Sequence, residues 1–156
     1  MKKLTKSLLI ILVIGAAALI FILQLVPYGR NHANPPVVAE PAWESPRTRT
    51  LFMQTCGDCH SNETAWPWYS NIAPVSWMVY NHVEEGRSQF NVSAWGYQEN
   101  EAEEAVELYI HGEMPPKSYL PIHPEARLSD ADRQALIDGM FATFGGELRD
   151  GQENDD

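Results

Sequence analysis

The chain's only two cysteines stand close together in "TCGDCHS", as Cys56 and Cys59, and His60 follows the second directly. Three chemistries use such a pair. A dithiol redox couple needs a thiol activated at the start of a helix that follows a strand in a βαβ setting, and no strand pattern precedes Cys56. A structural zinc site needs four ligands, commonly a second cysteine pair or a closely spaced histidine pair. No further cysteine exists, and His82, His111 and His123 are not spaced as such a pair. Covalent haem attachment asks only for what is present: in C-x-x-C-H the two thiols become thioethers to the porphyrin vinyl groups, and the adjacent imidazole becomes an axial ligand of the iron. One turn of chain puts both sulfurs along one porphyrin edge and brings the next residue under the metal.

A haem iron has a second axial position, and Met114 in "HGEMPPKSY" is the candidate for it. Thioether is one of the recognised axial ligands, and the two prolines after Met114 restrict the backbone that carries it. Core packing is the ordinary fate of methionine, but a polar, proline-rich loop is a poor place for a core residue. His82 is the rival distal ligand, since it shares a predicted helix face with Val75, Met78 and Val79. A histidine on such a face commonly packs rather than ligates. His111 precedes a helix stop and suits the C-terminal dipole; His123 lies in a proline loop and His32 ahead of the domain. Met53 and Met140 fit helix faces and are expected to pack. Trp66, Trp68, Tyr69 and Trp77 crowd the residues after the motif. They would either keep water from a porphyrin or form an ordinary aromatic core.

These residues need elements to hold them. "SLLIILVIGAAALIFILQLV", Ser7 to Val26, carries no charge and has the length of about 20 apolar residues that crosses a bilayer as a helix. Lys2, Lys3 and Lys6 precede it and every acidic residue follows it, a bias that keeps the N-terminus in the cytoplasm. A cleaved signal peptide has a shorter apolar region and a small-residue cleavage site. Here the run is longer and ends in "QLVPYGR", so an uncleaved signal anchor is expected. The organisation read from the sequence is a cytoplasmic N-terminus over 1–6, a transmembrane anchor over 7–26 and a proline-rich tether over 27–46. A haem-binding domain over 47–146 and a disordered acidic tail over 147–156 follow. Past the span, eight basic side chains face all 21 acidic ones, a formal charge of −13, which repels phosphate backbones and speaks against nucleic acid as a partner.

Within the domain, "RTRTLFMQT" reads as a short helix running into the cysteines. A second helix starts near Pro74 and stops at Gly86, and a third in "ENEAEEAVELYIHGE" ends at Gly112. The last begins with Ser129 as N-cap, buries Leu136, Ile137, Met140, Phe141 and Phe144, and ends at Gly145 and Gly146. Nothing asks for strands. The fold class expected is all-α: a small helical domain with long loops, preceded by one transmembrane helix.

With these residues in hand, the chain resembles the bacterial haem-binding domain family, whose members carry CxxCH in exported or membrane-anchored proteins. The matching segments are "CGDCHSNETAWPWYSNIAPVSWMVYNHVEEGR", "GEMPPKSYLPIHPEARLS" and the final amphipathic helix, together about Pro46 to Phe144. The layout is also similar to that of class I cytochromes c, though these lack the segment "NETAWPWYSNIAPVSW". The resemblance implies one covalent haem c per chain, with Cys56 and Cys59 as thioether residues, His60 as proximal ligand and Met114 as distal ligand. The expectation is an electron carrier rather than an enzyme. It would sit in the bacterial inner (cytoplasmic) membrane by a single pass, with its C-terminal domain on the periplasmic or outer side. Redox proteins in or near that membrane and the cytochrome c maturation system are the expected partners. The alternatives are a haem-based sensor or peroxidase-like enzyme with an open sixth site, using His82 or Glu113 as acid–base group, and an adaptor subunit stabilised by its haem.

Overall fold

The computed structural model describes residues 2–97 and 101–145. The acidic tail expected over 147–156, Gly146 as a helix end, Glu99 and Asn100 at the start of the "ENEAEE" segment, and Met1 lie outside the described residues. Among those described, the chain is all-α, as its sequence leads one to expect. The helices are α1 (Lys2–Leu23), α2 (Pro46–Thr55), α3 (Gly57–His60), α4 (Val75–Gln89), α5 (Ala102–Ile110) and α6 (Asp130–Phe144), with 3-10 turns at Trp68–Asn71 and Pro124–Ala126. The sole extended pairing described is an isolated parallel bridge from Ala39 to Ala94. The residues form two compact units, one from residues up to 33 with 66–82, the other from 34–65 with residues from 83 onward.

The first unit is built on α1. Its Thr5–Leu23 stretch has a mean hydropathy of 2.7 and none of it is buried, so the helix is long and apolar enough to cross a membrane. Immediately after it, the Gln24 side-chain amide donates to the Ala73 carbonyl (2.9 Å) and accepts from the Ala73 N–H (3.0 Å). The Arg30 guanidinium donates to the Gln24 carbonyl. Gly29 has φ +70°, and a Cβ there would come 2.8 Å from the Ser76 carbonyl oxygen; both facts call for glycine. Tyr28 meets Tyr80 edge-on at 5.6 Å, and His32 stacks on Trp66 at 4.5 Å.

The second unit has a core of α2, α5 and α6. Phe52, Val106, Leu136 and Met140 are fully buried, and Phe90, Tyr109, Ile137 and Phe144 close around them. The caps are those the residue types dictate. The Ser45 hydroxyl accepts from the Thr48 N–H with Pro46 in the first turn of α2, and the Ser129 hydroxyl accepts from the Asp132 N–H at the start of α6. Helices α2 and α6 approach closely because position 139 is glycine, where a Cβ would collide with the Thr48 side chain. Arg133 donates to the Tyr109 and Ile110 carbonyls at 3.2 and 2.9 Å, satisfying carbonyls at the C-terminus of α5 where a cation is favoured.

The stretch expected as a free proline-rich tether differs from Asn34 onward. There it is laced to its unit: Val38 N–H donates to the Ser93 carbonyl (2.8 Å), Asn62 donates to the Pro36 carbonyl (2.9 Å), and Trp43 packs on Phe52 and Phe144. Prolines leave the segment's own hydrogen-bonding sparse, and the partners come from distant residues that no local pattern reveals. Glu40 receives Arg49 through Nε at 2.7 Å and a terminal nitrogen at 2.6 Å, and Trp43 Nε1 at 2.8 Å. The Arg49 hydrogen bond is the main reason its carboxyl is held below the usual 4.5. A carboxyl with a depressed folded-state pKa contributes stability above its unfolded value, lost as pH falls through the folded one. Glu40→Gln is therefore expected to cost about 1 kcal/mol at pH 7, after allowance for the partial exposure of the pair. The difference should shrink as pH falls through the carboxyl's lowered folded-state range, in urea unfolding followed across pH.

Helix α4 departs from expectation in two ways. The face chosen from the sequence, Val75, Met78, Val79 and His82, is not the buried one: Val75, Met78 and His82 are exposed, whereas Ser76, Val83 and Gly86 are buried. The buried side is turned by roughly a quarter of the helix circumference, at 100° per residue. Nor does the helix stop at Gly86; it continues to Gln89. The reason in both cases is contact, since the inward Ser76 and Gly86 are small and let the Gly29 and Cys59 backbone come close.

Candidate functional site

Helix α2 ends at Cys56, whose N–H donates to the Phe52 carbonyl at 2.7 Å, and the chain restarts at once as the single turn α3. Cys59 and His60 N–H groups both donate back to the Cys56 carbonyl, at 3.2 and 3.0 Å. Cys56, Cys59 and His60 thus occupy one turn of helix, each half-buried. Position 57 faces Met53, whose sulfur would lie 3.2 Å from a Cβ there, so this methionine packs against the motif as well as the core.

The turn is held from several sides. The Ser61 hydroxyl donates to the Gly57 carbonyl at 2.7 Å, and the His60 carbonyl accepts from Val92 N–H at 2.9 Å. Asp58 accepts from the Ala65 N–H (2.8 Å) through one carboxyl oxygen and from the Tyr119 hydroxyl (2.7 Å) through the other. Arg87 on α4 donates to the Ser61 carbonyl, the Thr64 hydroxyl and the Asn34 side chain at 2.8 to 2.9 Å. Closest of all is Gly86, where a Cβ would sit 2.6 Å from the Cys59 carbonyl oxygen and 2.9 Å from its Cβ. The sequence reading gave Asp58, Arg87 and Tyr119 no role and took Gly86 only as a helix stop. The one available signal was a glycine inside an apolar helical run, which is as readily read as a stop.

His60 lies face to face with Phe90, ring centroids 4.1 Å apart and 13° from parallel, with Nδ1 3.3 Å from the Phe90 carbonyl oxygen. Burial pulls its pKa below the ordinary value, opposed by the carbonyls of Phe90 and Gly86. A neutral imidazole whose Nδ1–H is committed to a carbonyl keeps its lone pair on Nε2, the arrangement typical of a metal-bound histidine. Both thiols are free. Burial pushes Cys56 up to about 12, assisted by the neighbouring Cys59; it pushes Cys59 up to about 11, with Asp58 adding and Arg87 opposing. A working dithiol couple needs a thiol lowered toward neutrality, which is the opposite of what this environment does. Among the described residues, no three His, Cys, Asp or Glu side chains gather as a metal-binding group. Two neutral thiols and a neutral imidazole on one turn are, by contrast, the donor set that fits a covalently held haem.

Met114 sits in the loop after α5, its N–H donating to the Leu108 carbonyl at 3.2 Å, and it is 37% exposed. It is therefore not a core residue, unlike Met140, which is 1% exposed. Five residues on, the same loop is tied to the motif by Tyr119, which also stacks on His123 at 3.7 Å. Tyr119→Phe removes one hydrogen bond to a carboxyl oxygen and is expected to lower stability by about 1–2 kcal/mol. Amide exchange over residues 113–120 should quicken more than in α6. His82 is exposed on α4 and belongs to the unit that does not contain the motif. The aromatic residues after the motif do not form a core: Trp66, Tyr69 and Trp77 are half-buried and Trp68 is 75% exposed. The aromatic core is instead Trp43, Phe52, Phe90, Trp95, Tyr109 and Phe144.

A family model described as a haem-binding domain matches residues 18–142 of the chain. Comparison with curated proteins and with solved structures gave no match.

Proposed function

The chain belongs to the haem-binding domain family, and from that membership we propose that it is a membrane-anchored, monohaem protein of c type that carries electrons. The observation that supports this reading most is the single half-buried turn bearing Cys56, Cys59 and His60, with the His60 Nδ1 facing a backbone carbonyl. Bound haem supplies one-electron exchange between Fe(II) and Fe(III). The chain's residues hold and tune it. Cys56 and Cys59 would hold it as thioethers, each thiol adding across a vinyl group with its sulfur on one carbon and its hydrogen on the other. His60 would offer Nε2 to the iron, with its tautomer fixed by the Phe90 carbonyl at Nδ1. Met114 offers a thioether from a loop tied back to the motif by Tyr119 and Asp58, and His/Met ligation raises the potential. Helix α1 anchors the chain in the bacterial inner membrane, with the later residues on the outer side. Confinement there raises the carrier's effective concentration near membrane redox partners. The maturation machinery for c-type cytochromes is the partner that attaches the haem.

The exposure of Met114 favours a second reading, a sensor or peroxidase-like protein whose sixth ligand is displaced in use. Carbon monoxide separates the two. A carrier shows a low-spin ferrous spectrum unaltered by the gas and a reversible one-electron titration; rapid conversion to the carbonyl form would transfer the proposal to sensing or catalysis.

A further inference from the structure

We infer that residues 66–78 form a second, interfacial contact with the membrane, an aromatic foot resting in the headgroup layer on the side where α1 emerges. This rests on the reading of α1 as a membrane anchor. From Ala65 to Asn81 the sequence carries no charged residue and holds Trp66, Trp68 and Trp77, three of the chain's five tryptophans. That is unexpected in a part of the chain whose formal charge is otherwise strongly negative. Within the unit that also holds α1, four of its large apolar side chains are exposed, Trp68 by 75%, Ile72 by 43%, Val75 by 41% and Met78 by 60%, while Trp66 and Trp77 are half-buried. Single exposed apolar residues are unremarkable, but four of them between positions 68 and 78 of an uncharged segment point to a contact surface.

The occupant follows from where the segment is fixed. Gln24 lies one residue beyond the end of α1, and its side-chain amide pairs with both backbone groups of Ala73. Ala73 is adjacent to Ile72 and two residues from Val75, so these side chains stand at the level where the apolar span ends. Leu25, 69% exposed, and Tyr28, 47% exposed, add large apolar side chains just beyond the end of α1. Arg30, which donates to the Gln24 carbonyl, places a cation there as well. Tryptophan and tyrosine are enriched at this depth because their rings are apolar and their polar edges stay wet. A lipid headgroup layer is thus already the neighbour of the exposed face.

The test uses the full chain in phosphatidylcholine nanodiscs, with a benzophenone amino acid placed singly at exposed positions 25, 68 and 78. Irradiation followed by mass spectrometry reads lipid adducts. Adducts at 68 and 78 at yields comparable with position 25 are expected, and Gln24→Leu, which leaves the span apolar, should lose those at 78 while keeping those at 25. Adducts at 25 alone, or crosslinks at 68 and 78 to a second copy of the chain, would overturn the foot and leave the anchor standing. Absence of adducts at all three positions would overturn both.

Discussion

A Gly86→Ala chain is expected to be about 1–3 kcal/mol less stable than its parent, the usual consequence of forcing volume into a packed contact. Helix propensity alone predicts the reverse, because alanine in the middle of a helix is better than glycine by about 1 kcal/mol. The geometry decides between them. A Cβ at 86 would lie 2.6 Å from the Cys59 carbonyl oxygen and 3.1 Å from its carbonyl carbon, and these are backbone atoms that cannot rotate away. Either α4 shifts outward or α3 does. Since Gly86 also offers its carbonyl to His60, a shift would disturb the cysteine and the histidine together. Denaturant unfolding should show the loss, and haem incorporation during export should fall with it. Unchanged stability would mean that α4 and α3 are not packed as described.

Met114→Ala should behave in the opposite way, with a small effect on the fold and a large one on the cofactor. A methionine buried in a core costs about 2–5 kcal/mol when cut to alanine, whereas a surface change is usually within about 0.5 kcal/mol. At 37% exposure, Met114 belongs nearer the second class, so the haem-free chain should unfold almost as the parent does. In the haem-bearing protein the same change should open the sixth position. Carbon monoxide would then bind readily, and the potential should fall by on the order of 0.1–0.3 V, within the ≈ 0.8 V range that axial ligation spans. An unaltered spectrum and potential would remove Met114 from the iron.

Helix existence and caps were legible because they depend on residues near in sequence. Ser129 with Asp132, and Gly112 at φ +71°, lie where local chemistry puts them. The cysteine motif was legible for the same reason, since a single helical turn is a local object. What the pattern could not convey was which small residues serve contact. Gly86 reads as a stop, yet it and Gly139 each sit inside a helix because another element occupies the space a Cβ would take. The buried side of α4 was misjudged on the same account: Val75 and Met78 are the larger apolar residues, but Ser76 and Gly86 allow the close approach. The strap from Asn34 to Ser45 was hidden too, because its partners Ser93, Asn62 and Arg49 are separated from it in sequence and carry no signature of the pairing.

The central claim is that the Cys56–His60 turn holds haem covalently. The most direct measurement exports the full chain with the c-type maturation machinery present, denatures it in acidified organic solvent, and asks whether haem remains on the polypeptide. The same is done for Cys56→Ala/Cys59→Ala. Haem that stays with the parent chain, at one per chain, and is lost from the double variant is the predicted result. Haem extracted equally from both, or retained equally by both, would contradict it.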